Sequence, residues 1–220
     1  MFKQEPIFPP GDVVPRPAPA TSVAAAPFVL ADGRPVAFVP ITPGSKPVIA
    51  AAMARLSQES IRRRFLAPRR ELSEQELDRL TAMDGWNQYA IGACMNGADG
   101  KLEGIGVARF ARLADDATTA EIAITVVDAY HGRGIGTALM ARLADAAKLR
   151  GIRQLMAVVL PDNAAVIGLL QRFVPQARWR RDDGNLVAII RLPAEPVARS
   201  ADHSPPAKRT APLRPRGTRR

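Results

Sequence analysis

The sequence predicts a mixed α/β domain with a mostly antiparallel sheet and flanking helices, and three observations carry that prediction. Tyr89–Met95 and Glu103–Leu113 are strand-like runs separated by Asn96–Gly100, a turn of hairpin composition. Ala120–Val127 alternates, with Ile122, Ile124 and Val126 on one face and Glu121, Ala123 and Thr125 on the other. Only one strand–helix–strand unit follows, over 120–160, whereas a doubly wound domain alternates strand and helix throughout.

The remaining elements fall into place around these. Val36–Ile41 reads as a first strand, closed by Thr42-Pro43-Gly44. Ser45 is the expected N-cap of a helix over about 46–56, with Pro47 tolerated in its first turn. A short helix is expected over 58–65, and Ser73 with Glu76 forms a capping box for a third that ends near Asp84. From Ile135 to Leu149 the pattern is helical, with Ile135, Leu139, Leu143 and Ala146 on the buried side. Gln154–Leu160 is the next strand and Asn163–Phe173 the next helix. Arg178–Arg181 and Leu186–Leu192 close the sheet through a turn at Asp182-Asp183-Gly184-Asn185.

Composition limits the class of protein. A hydrophobic content of 47% is ordinary for a globular chain of 220 residues. No run approaches the ~20 apolar residues of a membrane span, and the N-terminus has no apolar segment of signal-peptide type, so a cytoplasmic protein is expected. Cys94, the single cysteine, is read as a small buried hydrophobe, and Trp86 as a core or cleft-wall residue. His131 and His203 are the only histidines, and no ligand cluster for a metal is expected. Half of the +10 net charge lies in the C-terminal tail, where seven Lys and Arg residues between Arg199 and Arg220 face only Glu195 and Asp202. Three regions are therefore expected: a Pro/Ala-rich disordered segment at 1–27, a folded domain at 28–192, and a disordered basic tail at 193–220. Such a tail is either a solvated terminus or makes weak, nonspecific contact with nucleic acid.

The informative segment is Val126-Val127-Asp128-Ala129-Tyr130-His131-Gly132-Arg133-Gly134-Ile135-Gly136-Thr137. A strand enters a glycine-rich turn that opens directly into an amphipathic helix. The first amides of that helix lack intrahelical partners and, with the aligned peptide dipoles, form a site suited to phosphate. The Gly-Lys-Ser/Thr ending of a P-loop is missing, as are the βαβ repeat and ribose-binding carboxylate of a dinucleotide fold. A tight strand-to-helix connection with no ligand is the plainer alternative.

His131-Gly132-Arg133-Gly134-Ile135-Gly136 resembles the acyl-CoA pyrophosphate motif of the GNAT (Gcn5-related N-acetyltransferase) superfamily, with His131 at a position usually held by Gln or Arg. Thr119–Val126 looks like that family's fourth strand, and Gly151-Ile152 and Pro161-Asp162-Asn163 fit around its fifth. Leu56–Ser60, Arg64-Phe65, Arg69–Ser73, Gly104–Phe110 and Ala120–Ala123 are similar to the bacterial protein-lysine acetyltransferase branch.

The resemblance implies the GNAT acyl-CoA N-acyltransferase fold, with the cosubstrate acetyl-CoA, no metal, and an acetyl group passed to a primary amine of a protein lysine or a small molecule. The alternative is a non-catalytic acyl-CoA sensor or interaction module. The resemblance also implies a V between two strands in which a pantetheine arm pairs with the backbone of Ile124 and Val126. Cofactor contacts are expected from His131, Gly132, Arg133, Gly134, Ile135, Gly136, Thr137 and Asn163, the last also a helix N-cap. Arg133 either adds charge to that site or lies in solvent. Glu121 matches the family's catalytic Glu and is expected to be the general base, against the alternative of a strand-edge Glu paired to Arg109 or Arg112. Leu170 stands where many relatives carry a Tyr that protonates the leaving thiolate, and Val174-Pro175 replaces a common Gly-Phe pair.

Overall fold

The computed structural model describes residues 28–69, 72–97 and 100–193. The expectations for 1–27 and for the basic tail therefore lie outside the described residues, Pro193 excepted. In chain order the elements are β1 (Phe28–Val29), β2 (Pro35–Pro40), α1 (Lys46–Met53), α2 (Gln58–Phe65), α3 (Glu74–Thr81), β3 (Gln88–Asn96), β4 (Leu102–Arg112) and β5 (Thr119–Val126). After these come α4 (Ile135–Lys148), β6 (Gln154–Val159), α5 (Ala164–Phe173), β7 (Arg178–Asp182) and β8 (Asn185–Arg191). The eight strands form one sheet in the order β1-β2-β3-β4-β5-β6-β8-β7, antiparallel everywhere except between β5 and β6. The expected mixed, mostly antiparallel fold is what the chain adopts.

That single parallel junction positions the site. β5 and β6 share three rungs, Thr119↔Gln154, Ala120↔Leu155 and Glu121↔Met156, and pair no further. On its other edge β5 stays in register with β4 out to Val126↔Gly106, and β6 stays with β8 to Val159↔Leu186. The sheet thus splits, and the edges of Ile122–Val126 and Ala157–Val159 face each other across a gap.

Helices cover the two faces of the sheet. A Cβ added at Gly106 would lie 3.1 Å from Leu139 and 3.4 Å from Ile135, so α4 rests on the face shared by Gly106 and its partner Val126. Phe110, Leu139, Leu143, Leu155 and Ile190 are fully buried at the centre of the core. α1 covers the other face: a Cβ at Gly104 would meet Val48 at 3.0 Å and Ala52 at 3.4 Å.

Some local details depart from the sequence reading. Ser45 has helical backbone angles and does not cap α1; its Oγ accepts from the Thr42 amide (3.1 Å) within a short 3-10 turn, and α1 ends at Met53. α3 has its Ser73/Glu76 capping box but stops at Thr81, because Ala82 leaves the helical region. Asp84 instead accepts from the Trp86 and Gln88 amides (2.8 and 2.7 Å) and turns the chain into β3. Strand β1 had no signal in the sequence; Phe28 is held there by an edge-on contact with Phe38, ring centres 5.9 Å apart.

Candidate active site

The split between β5 and β6 opens a cleft of about 430 Å³. Its walls are Ile122–Val126 on one side and Ala157–Val159 on the other, and its floor is the start of α4. Ladder geometry decides which backbone groups look into it. Val127 donates to Ile105 and Leu113 donates to Thr119, so the odd-numbered residues of β5 bond to β4. In an antiparallel pair the alternate residues then point their N–H and C=O to the opposite side. Ile124 and Val126 therefore turn their backbone groups into the cleft.

Of the site residues expected from the sequence, the structure gathers Ile124, Val126, His131, Gly132, Gly134, Ile135, Gly136, Thr137 and Asn163 in the wall of this one cleft. Gly134 is the N-cap of α4 with φ +82°, a conformation that leaves the following amides directed at the cleft. Gly136 has no such backbone demand. A Cβ there would lie 3.5 Å from Leu169 and 3.9 Å from Val126, in ordinary contact, so the protein itself leaves room for a side chain that the sequence does not supply. A bare helix start of this kind fits an approaching phosphate.

His131 makes a contact that sequence reasoning did not foresee. Its Nε2–H donates to the Val126 carbonyl at 2.8 Å, which fixes the tautomer and satisfies one of the two carbonyls facing the cleft. Asn163 is buried and caps α5 as expected, its Oδ1 accepting from the Val166 amide (3.3 Å), and it also lines the cleft. Arg133 is not part of the wall. It pairs with Asp32 (3.2 Å) in the β1–β2 turn and lies over the Tyr130 ring.

Glu121 sits at the last rung that joins β5 to β6, just below the wall residue Ile122. Burial pushes its carboxyl above the ordinary glutamate value, and the neighbouring guanidiniums of Arg64 and Arg109 draw it part of the way back. Those arginines are themselves desolvated: Arg64 is pushed down to about 10, first by burial and then by repulsion from Arg109. Arg112, the other expected partner of Glu121, is elsewhere, donating to Asn87, Ala117 and Arg150.

Helix α2 roofs this end of the cleft and contributes Ser60, Arg63 and Arg64, to which the sequence reading assigned no role. It is fastened at both sides of the split. Asp128, just after β5, accepts from the Ser57 amide (2.9 Å), Ser57 Oγ (2.7 Å) and Ser60 Oγ (2.8 Å). Burial works to raise the Asp128 carboxyl, but these three donors outweigh it and hold it below the usual aspartate range. Across the gap, Arg62 pairs with Asp162 in the β6–α5 connection and with Glu59 on its own helix. The hint in the sequence was Ser57-x-x-Ser60, a pair of hydroxyls one helical turn apart that needs an acceptor.

Tyr130 and Leu170 complete the wall, both buried; Leu170 offers no hydroxyl at the position where many GNAT enzymes carry a tyrosine. Trp86 and Cys94 do not line the cleft; Cys94 is buried in β3. Among the described residues no group of three or more His, Cys, Asp or Glu is placed to hold a metal ion, and no helix is long and apolar enough to cross a membrane.

A strand pair that parts above the bare start of a glycine-led helix defines an acyltransferase-like architecture, and the comparisons agree. Residues 58–174 match the Acetyltransferase (GNAT) family. The chain belongs to that family. It is 34% identical to Acetyltransferase Pat of Mycolicibacterium smegmatis over 148 residues, which cover 67% of this chain and 43% of that protein. Over 137 residues it is 32% identical to an acetyltransferase of Pseudomonas aeruginosa, covering 62% of this chain and 73% of the relative. Among solved structures, the GNAT domain of S. lividans PAT superposes with a TM-score of 0.68 at 31% identity, covering 76% of this chain and 96% of that domain. The cAMP-binding acyltransferase of Mycobacterium smegmatis gives a TM-score of 0.52 at 30% identity, covering 46% of its length.

Proposed function

We propose that this protein is an N-acetyltransferase that moves the acetyl group of acetyl-CoA to a primary amine by direct attack in a ternary complex, with Glu121 as general base. The supporting observation is the three-rung β5–β6 junction, which opens a cleft directly onto the bare start of α4. Amides from Gly132 to Thr137 receive the pyrophosphate, and the inward backbone of Ile124 and Val126 pairs with the pantetheine arm.

An N–H of Ile124 or Val126 donates to the thioester oxygen as charge builds on it. The amine lone pair forms the new C–N bond, and Glu121 takes the amine proton directly or through one water. The C–S bond breaks to release a thiolate. Since a CoA thiol resembles the ~8.5 of cysteine, it leaves without a proton donor, which is compatible with Leu170.

The acceptor is a lysine side chain of a protein or a small-molecule amine. Similarity to the Pat proteins supports placement in the protein-lysine branch. A second reading, an acyl-CoA-binding sensor without turnover, is favoured by one observation, the buried Leu170 in place of a tyrosine. Release of free thiol from acetyl-CoA across a panel of lysine peptides and small amines supports the enzyme. Tight acetyl-CoA binding without turnover anywhere in that panel supports the sensor.

A further inference from the structure

A second cavity of about 70 Å³ lies under α1, bounded by Val48, Ile49 and Ala52 of that helix, by Ile41 and by Val107 of β4. Thr125 lines both this cavity and the main cleft. Its Oγ is buried and has no hydrogen-bond partner. We propose that this cavity receives the alkyl tail of an acyl-CoA whose acyl group is longer than acetyl, entering past Thr125.

Three features converge on that occupant. First comes position. Ile124 and Val126 present their backbone to the cleft, and the residue between them sends its side chain to the α1 face of the sheet. An acyl group attached to a thioester beside those backbone groups therefore continues toward Thr125 and the space beyond it.

Second, the lining is almost wholly aliphatic. A water needs two to four polar partners to be held in a cavity, and the hydroxyls of the lining are those of Thr125, which is buried, and Ser45, which already accepts from the Thr42 amide. Interiors with few voids larger than a water are the rule, so an apolar space of this size beside a binding cleft suits an apolar ligand group. Third, Thr125 is shared by the walls of both spaces, and its buried hydroxyl has no hydrogen-bond partner to tie the side chain down there. With one water-sized sphere needing roughly 10–15 Å³ of such space, the cavity takes about five to seven atoms, enough for a short alkyl chain.

This inference rests on the acyl-CoA reading given above, and the experiment separates the two. Affinities of CoA, acetyl-CoA, butyryl-CoA and hexanoyl-CoA for the full chain are measured by calorimetry. Burial of each methylene is worth roughly fourfold in affinity, so butyryl-CoA, with two more methylenes, is expected to bind about fifteenfold tighter than acetyl-CoA. Ala52→Leu, which fills the cavity from α1, is expected to abolish that gain while CoA and acetyl-CoA bind within about twofold of the unaltered protein. Butyryl-CoA binding no tighter than acetyl-CoA, or a gain that survives Ala52→Leu in a folded variant, overturns the acyl pocket. Failure of CoA itself to bind overturns the cofactor reading instead.

Discussion

Glu121 pairs with Met156 at the last rung between β5 and β6, so the one acidic side chain of β5 stands where the sheet divides. The position couples its chemistry to the architecture. Strand separation creates the cleft, and the same junction buries the carboxylate between Arg64 and Arg109. Burial raises the Glu121 pKa, which makes its carboxylate a stronger base than a surface one, while the two neighbouring guanidiniums favour the ionised form.

The glycine pair of the α4 turn separates backbone strain from ligand contact. Gly134→Ala places a Cβ at φ +82° and is expected to cost about 1–2 kcal/mol of stability as well as cofactor affinity. Gly136→Val has room within the protein but intrudes on the helix start, so its fold should survive while acetyl-CoA binds at least about tenfold more weakly. Denaturation midpoints alongside calorimetry distinguish the two effects. Unchanged affinity in folded Gly136→Val removes the phosphate from the start of α4.

Asp128 anchors the roof of the cleft. Asp128→Ala strands three donors of α2, at Ser57 and Ser60, and should cost about 1–3 kcal/mol at pH 7. Because its folded pKa is depressed, the contribution is full above the ordinary aspartate pKa and disappears as pH falls through the lower folded value. Urea denaturation of wild type and variant should therefore converge in acid. Curves that stay equally far apart below the aspartate range contradict this role.

Tyr130 tests whether a proton donor is required. It is the only tyrosine in the cleft wall, and the proposed chemistry gives it no proton to deliver. Tyr130→Phe keeps the ring over which Arg34, Arg55 and Arg133 lie and should change kcat less than about tenfold. Loss of a general acid costs ~10²–10⁴, so a fall of that size would assign the role to Tyr130.

Much of this fold could be read from the chain, because β3 and β4 are apolar runs joined by a turn of hairpin composition, β5 alternates, and the later turns carry the residues turns need. The glycine motif located the floor of the cleft for the same reason: Gly134 is required by local backbone geometry. What stayed hidden depends on contacts between distant segments. β1 has two residues and no periodicity, and it exists through pairing with β2 and the Phe28–Phe38 contact. The clasp of Asp128 on Ser57 and Ser60 joins residues about seventy positions apart, and Arg133 was diverted by Asp32 across an even longer separation. Alternation did place Glu121 opposite Ile122 correctly, but Arg64 as its neighbour required the packing of α2 on β5.

The measurement closest to the central claim is the pH–rate profile of acetyl transfer by wild type and Glu121→Gln on the same amine, with acetyl-CoA affinity measured in parallel. The variant should bind acetyl-CoA as wild type does, yet show kcat lower by roughly 10²–10⁴ near neutral pH. The deficit should shrink as pH rises toward the amine's own pKa, ~10.4 for a lysine, where the nucleophile arrives already deprotonated. Wild type should lose activity in acid through a pKa above that of an ordinary glutamate, and the variant should lack that limb. Turnover by Glu121→Gln at the wild-type rate near neutral pH would contradict the account and leave proton removal to solvent.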